Sequence, residues 1–295
     1  MELFLEAALR LAAPLLLAAL GELVCERAGV IHIGVEGTML CGAFAGYAVA
    51  VASGSPLAGA LAGALAGGAV GFGFACFSVL RGVDQIVAGT AVNLIALGGT
   101  GLAVRSLYQG LPPRAPVLEV LPLPGLAELP LLGAFFRQSL FAYLSLLLAL
   151  AIALFLARTR PGLRLRAVGE SARAAAVEGL QVRRIRVAAV CTGASLAGVA
   201  GASLSLGLAD GFSEGMTAGR GFIALAIVIL GRWSAAGVTA AALFFGATSA
   251  LQFRLQARGV GVPYPVFLML PYLLTLGVLA LGGRGARAPA DLGRN

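Results

Sequence analysis

Apolar residues run along this chain in long blocks, near positions 5–24, 38–54, 56–80, 86–108, 137–157, 187–209, 221–231, 235–256 and 263–282. Most blocks are about 20 residues long, the length a helix needs to cross a bilayer. They do not alternate apolar and polar residues, as the strands of a membrane barrel would. Backbone in lipid must satisfy its own hydrogen bonds, so the remaining option is helix. The pattern predicts an all-α fold: one polytopic membrane bundle over residues 1–295, with about 8–10 spans, some of them broken.

Two connecting segments interrupt the pattern. Segment 109–136 carries prolines 112, 113, 116, 122, 124 and 130. Proline this dense is incompatible with a helix interior, so this is expected to be an external loop. Segment 158–186 holds eight arginines against Glu170 and Glu178, a net +6, which places it in the cytoplasm by the positive-inside rule. The tail with Arg284, Arg287 and Arg294 is expected on the same side.

Composition agrees with the membrane reading. The chain is 59% hydrophobic and 12% charged, with a mean hydropathy of +0.96. All 21 basic residues are arginine, and the net charge is +8. In a spanning protein that excess reflects topology, so membrane lipid is an expected partner and nucleic acid is not. Cys25, Cys41, Cys76 and Cys191 lack metal or disulfide spacing and are read as reduced packing residues. There is no phosphate loop, nucleophile elbow or HExxH motif, so no catalytic residue, metal or cofactor is expected.

Small residues recur at helical spacing. Gly59, Gly63, Gly67 and Gly71 form one stripe; Ala194, Gly198 and Ala202 form another. Such stripes let helix backbones approach closely. Two glycine-broken segments, GVIHIGVEG at 29–37 and DGFSEGMTAGRG at 210–221, each precede an apolar helix. Paired interruptions in the two halves of a transporter point to a binding site at the membrane midplane. The substrate path is therefore expected to include His32, Glu36, Asn93, Gly219 and Gly221. A helix starting near Gly37 would direct its positive end there, and Glu36 would hold the break by accepting backbone N–H bonds. His32 has two readings, a ligand hydrogen bond or one to a backbone carbonyl. Asn93 faces the path or joins two helices. Glu26 and Arg27 are expected as a charged lid on the cytoplasmic side, and Glu22 with Glu26 as a charged helix end or a proton relay.

Within the arginine loop, GESARAAAVEGLQ reads as a short helix with Ser171 as N-cap and Gly179 as its stop. Its small residues and terminal charges suit a groove on a partner or an anionic lipid surface. The loop carries Gly162, Leu165, Arg166, Ala167, Gly169, Glu170, Ala174, Ala175 and Gly179 in one register. That register resembles the coupling loop of bacterial ABC importer permeases of the branched-chain amino acid, ribose and nucleoside type. The stretch with Glu26, Arg27, Gly29, Val30, Gly34, Glu36, Gly37, Met39, Leu40, Gly42, Ala43 and Phe44, and the stretch GFIALAIVILGRW from 221, resemble the nucleoside and simple-sugar branch. His32 stands where that branch typically has asparagine, and Ala172 where it has proline.

The resemblance implies a permease subunit of an importer for nucleosides or simple sugars in a bacterial inner membrane. It implies three kinds of partner: an ABC ATPase that hydrolyses the ATP, a second related permease or a second copy of this chain, and a substrate-binding lipoprotein. Gly169, Glu170, Arg173, Ala174, Ala175, Glu178 and Gly179 would couple to the ATPase. The alternative is a secondary transporter driven by an ion gradient, with Glu22, Glu36 or Asp210 as coupling sites.

Overall fold

A computed structural model describes residues 2–108, 112–118, 120–122, 124, 125, 128, 132–257, 269 and 288–294. The apolar run 263–282, Arg284 and Arg287 lie outside the described residues, apart from position 269.

The long helices are α1 (Glu2–Arg27), α2 (Val35–Ser53), α3 (Pro56–Ala75), α4 (Gln85–Leu107) and α5 (Leu140–Arg158). They are followed by α6 (Arg160–Glu170), α7 (Ala172–Val177), α8 (Val182–Ser203), α9 (Arg220–Leu230) and α10 (Ala235–Ala257). Single π turns extend α3 through Leu80 and α8 through Leu208. Among the described residues, seven helices are long and apolar enough to cross a membrane, and α9, with 11 residues, is a shorter apolar helix. Two three-residue strands, Val120–Pro122 and Arg137–Ser139, pair antiparallel. The bundle is all-α and polytopic, as the pattern predicts.

α1 and α8 form its centre. Leu16, Leu17, Leu20 and Leu23 of α1 are fully buried against α8, α10, α5 and α9. α3 packs mainly on α8 and α2, and the residues it buries are the glycines of its stripe, with Phe74 and Ala75. A Cβ at Gly63 would lie 2.7 Å from the Ala202 side chain, and one at Gly198 would lie 2.9 Å from the Gly67 Cα. The two small-residue stripes therefore face each other, a pairing their separate spacings do not specify. The outer faces of α3 and α4 carry exposed Leu61, Leu65, Leu94, Ile95 and Leu102, the surface expected where lipid replaces water.

Contacts define the two ends of the bundle. At the arginine-rich end, Arg27 donates from Nε to the Trp233 carbonyl (2.7 Å) and Arg186 donates from Nε to the Ala28 carbonyl (3.3 Å). At the far end the Tyr47 hydroxyl donates to the Pro113 carbonyl (2.7 Å), and the Ala115 N–H donates to the Asp210 carbonyl (3.1 Å). α1 runs from the far end to the arginine-rich end and α2 to α5 alternate, while α8 and α10 both run from the arginine-rich end toward the far end, with the short α9 returning between them.

Segment 158–186 differs from the sequence expectation of one short helix in a loop. It holds two, because Thr159 caps α6 by accepting the Gly162 N–H (3.1 Å) and Pro161 occupies its first turn. Leu165 and Val168 bury one face of α6 against the bundle. α7 then forms on the expected cap, with the Ala174 N–H donating to Ser171 Oγ (3.3 Å) and Gly179 at φ +80° as the stop.

Candidate functional site

Both glycine-broken segments exist, and they meet. α1 ends at Arg27, and residues 28–34 climb from the arginine-rich end into the bundle without helix. The Ile31 N–H donates to Gln85 Oε1 (2.8 Å) at the start of α4. Asn93, two turns further along α4, accepts the Gly37 N–H at Oδ1 (2.7 Å) and donates from Nδ2 to the Ile33 carbonyl (3.1 Å). At about 1.5 Å per helical residue, Gly37 stands about 12 Å deeper than Ile31. α2 begins at Val35, two residues earlier than expected, so Glu36 lies in its first turn. Asn93 joins α4 to the break.

The second break enters from the far end. Residues 209–219 leave the π turn of α8, and Gly219 in the left-handed conformation (φ +82°) opens α9. Glu36 closes the gap between the two: Oε1 accepts the Gly219 N–H (2.8 Å) and Oε2 accepts the Gly221 N–H (2.6 Å). Glu36 was expected to accept backbone N–H bonds within its own break. It accepts them from the other break, at the N-terminus of α9. That terminus has free donors and a positive dipole end, which a carboxylate satisfies. Gly221 has to be glycine, because a Cβ there would lie 2.5 Å from the Glu36 Cα. Three of the expected path residues, Glu36, Gly219 and Gly221, thus form one junction, and Asn93 fixes the start of α2 beside it.

His32 is elsewhere. It is 1% exposed, its ring 4.5 Å from the Phe74 ring, with Nε2 3.0 Å from Thr38 Oγ1. The Thr38 hydroxyl hydrogen is committed to the Gly34 carbonyl (2.9 Å), so the imidazole Nε2 donates to the threonine oxygen. The partner is a hydroxyl on the facing turn of α2, not a backbone carbonyl. The His32 backbone N–H donates to Glu22 Oε1 (2.9 Å).

The acidic pair on α1 is not a charged helix end. Glu22 and Glu26 are 1% and 3% exposed. Glu26 Oε2 accepts the Trp233 indole N–H, and Arg27 holds the same residue's carbonyl. Arg232 and Trp233 both sit at positive φ in the α9–α10 turn, a conformation that needs outside support in residues other than glycine. The expected lid of Glu26 and Arg27 is a clamp on that turn, since both side chains are engaged by Trp233. Nothing in the sequence pairs 26 with 233; their meeting depends on how α1 and α9 pack.

At the far end Arg105 donates to both carboxylate oxygens of Glu214 (2.7 and 2.9 Å), tying α4 to the second break. This hydrogen-bonded guanidinium holds the Glu214 carboxyl below its usual range.

At the arginine-rich end, Glu170, Arg173, Ala174, Ala175 and Glu178 line an open cavity of about 730 Å³ around α7. Val177 projects from the same helix, 83% exposed. Gly169 is buried, packed on the Arg27 carbonyl and 3.2 Å from the Gly29 nitrogen as measured from an added Cβ. Gly179 lines a neighbouring cavity of about 900 Å³ between α5, α6 and α8. Among the described residues no group of three or more His, Cys, Asp or Glu could hold a metal ion.

Residues 4–279 match the family described as branched-chain amino acid transport system / permease component. The chain belongs to that family. It is 35% identical to the guanosine ABC transporter permease protein NupQ of Bacillus subtilis, over 98% of this chain and 94% of that one. It is 36% identical to a putative glucose ABC transporter permease of Haloferax volcanii, over 94% and 90%. It is 34% identical to the nucleoside ABC transporter permease protein NupC of Lactococcus lactis, over 96% and 92%. No solved structure matches. Family membership and the seven spanning-length helices among the described residues make the chain a multi-pass permease subunit of an ABC transporter in the cytoplasmic membrane. Such a subunit acts with an ATPase and a substrate-binding protein.

Proposed function

We infer that this permease imports nucleosides or simple sugars, forming one wall of the path and carrying no ATPase of its own. The substrate reading rests on one observation: relatives named for guanosine, nucleoside and glucose transport align along nearly the whole chain. Its partners are an ABC ATPase, a second related permease or a second copy, and a substrate-binding lipoprotein on the outer side.

In this reading the arginine-rich end is cytoplasmic and the proline-rich segment 109–136 is external. The junction of Glu36 with Gly219 and Gly221 then lies inside the membrane, where α2 and the short α9 begin. Uncharged polyols and bases suit such a place. The polar groups of the junction hold one another, Glu36 with the Gly219 and Gly221 N–H groups and Asn93 with Gly37 and Ile33, so a substrate in this reading passes beside a frame whose hydrogen bonds are already made. The α7 segment, with Glu170, Arg173, Ala174, Ala175 and Glu178 around its cavity and Val177 projecting, is the ATPase-docking lever. ATP-driven closure of the ATPase pair moves α7, and the long helices tilt as packed bodies.

The test is uptake of labelled guanosine, other nucleosides and glucose by cells expressing the transporter, with ATP maintained and the proton gradient collapsed. The expected result is ATP-dependent uptake of one of these classes, with an ATPase and a binding lipoprotein co-purifying. Uptake that vanishes with the gradient, with no ATPase recovered, would refute it. Replacing Arg173 with glutamate should separate ATPase docking from the rest of the bundle.

A further inference from the structure

Residues 288–294 do not trail away from the bundle. They lie across α7, the end of α6 and the first break, bonded to each. Asp291 Oδ2 accepts the N–H of Ala172, the first residue of α7 (2.6 Å), while the Asp291 N–H donates to the Gly169 carbonyl in the last turn of α6 (3.0 Å). The Gly293 N–H donates to the Gly29 carbonyl in the break (3.1 Å). Arg186, at the base of α8, donates from Nη1 to the Arg294 carbonyl (2.9 Å) and from Nε to the Ala28 carbonyl. Pro289 is buried and Leu292 packs on the main core. The other Asp291 oxygen, Oδ1, lies 3.7 Å from Arg294 Nη1.

α7 spans six residues. A helix that short is unstable alone in water, so its position is set by what holds its ends. Its first turn has free N–H donors; Ser171 takes the one from Ala174 and Asp291 the one from Ala172. The same short segment then grips Gly29, which sits at φ +87° with the Asp291 carbonyl 3.3 Å from where a Cβ would be. From Gly29 the break leads within a few residues to Gly37, held by Asn93, and to Glu36, held to α9. A continuous set of bonds therefore links α7 to the Glu36 junction without passing through the helix cores.

We propose that residues 288–294 form a strap that carries movement of α7 into the 28–34 break, with Asp291 the positioning residue that fixes α7 to it. The proposal rests on the reading of α7 as the ATPase-docking helix. Asparagine at 291 retains an oxygen that can accept the Ala172 N–H; alanine does not.

The experiment uses the complete transporter in proteoliposomes. Three variants are compared: Asp291→Ala, Asp291→Asn, and a chain ended after Arg287. A cysteine placed at Val177 is cross-linked to the ATPase to report docking. The expected result is that Asp291→Ala and the shortened chain lose about 5-fold or more in substrate transported per ATP hydrolysed, the low end of ordinary coupling between linked sites. Asp291→Asn should restore most of it, and the cross-link should persist. Loss of the cross-link in Asp291→Ala, recovered in Asp291→Asn, would equally support a positioning role. A retained cross-link with wild-type transport per ATP in both Asp291→Ala and the shortened chain would overturn the strap. Failure of the cysteine at Val177 to cross-link in the otherwise unaltered complex would instead overturn the docking assignment beneath it.

Discussion

Replacing Glu36 with alanine removes the acceptor of two backbone N–H groups, those of Gly219 at 2.8 Å and Gly221 at 2.6 Å. Hydrogen bonds to a charged group contribute about 1.5–3 kcal/mol each, and a buried donor left unmatched costs about 1–3 kcal/mol. Gly221 is buried and Gly219 half-buried, so one donor loses its partner out of reach of water and the other regains some solvent. The expected net cost is about 3–4 kcal/mol, within the range of a severe single substitution. Glutamine keeps one carbonyl oxygen but turns an NH2 toward the second N–H, and should cost about half as much. Aspartate is a methylene shorter and should fall between alanine and glutamine. The order is read from the fraction of transporter still monodisperse after a heat step in mild detergent, with substrate uptake measured beside it. A single unfolding free energy is not meaningful for a multi-helix membrane assembly, so the comparison rests on rank and midpoint. Wild-type heat resistance and uptake in Glu36→Ala at normal expression would refute the junction. So would equal losses for glutamine and alanine, because the argument depends on counting acceptors.

Two further substitutions probe other parts of the frame. Gly198→Val sets a branched side chain against the α3 backbone, where even a Cβ would lie 2.9 Å from the Gly67 Cα; overpacking of this kind costs about 1–3 kcal/mol or more, and membrane yield should collapse, while Gly73→Ala, with nothing within 4 Å, should leave yield unchanged. Trp233→Phe keeps one aromatic ring but removes the pyrrole half of the indole, and with it the N–H bonded to the buried Glu26 carboxylate; the lost bond costs about 1–3 kcal/mol and the vacated space adds to it, seen as a lower melting midpoint, and Trp233→Phe combined with Glu26→Gln should recover the hydrogen-bond part alone if that bond is what Trp233 supplies.

The sequence by itself determined the fold class, the breaks and most of the spans; the run at 221–231 is the 11-residue α9, and the run at 263–282 lies outside the described residues apart from position 269. Length and apolarity settle helices in lipid because unpaired backbone cannot persist there, and the starts of α3, α4 and α5 fall within a few residues of the apolar runs at 56, 86 and 137. Local chemistry likewise fixed α7: Ser171 and Gly179 bound it through bonds made inside nine residues. α6 was equally local, capped by Thr159 ahead of Pro161, and was hidden only by the charge of its arginines, which dominates any hydropathy reading of the loop. Partnerships were a different matter. That Glu36 would bind Gly219 and Gly221, that Glu26 and Arg27 would clamp Trp233, and that Asp291 would cap α7 each joins residues more than a hundred positions apart. Periodicity names the face of a helix and says nothing of which helix it meets. A carboxylate in a membrane must find a partner, and the sequence announces that much for Glu36; Glu22 and Glu26 read there as a charged helix end or relay, and only the packing of α1, α2, α8 and α9 shows them buried and decides what each carboxylate binds.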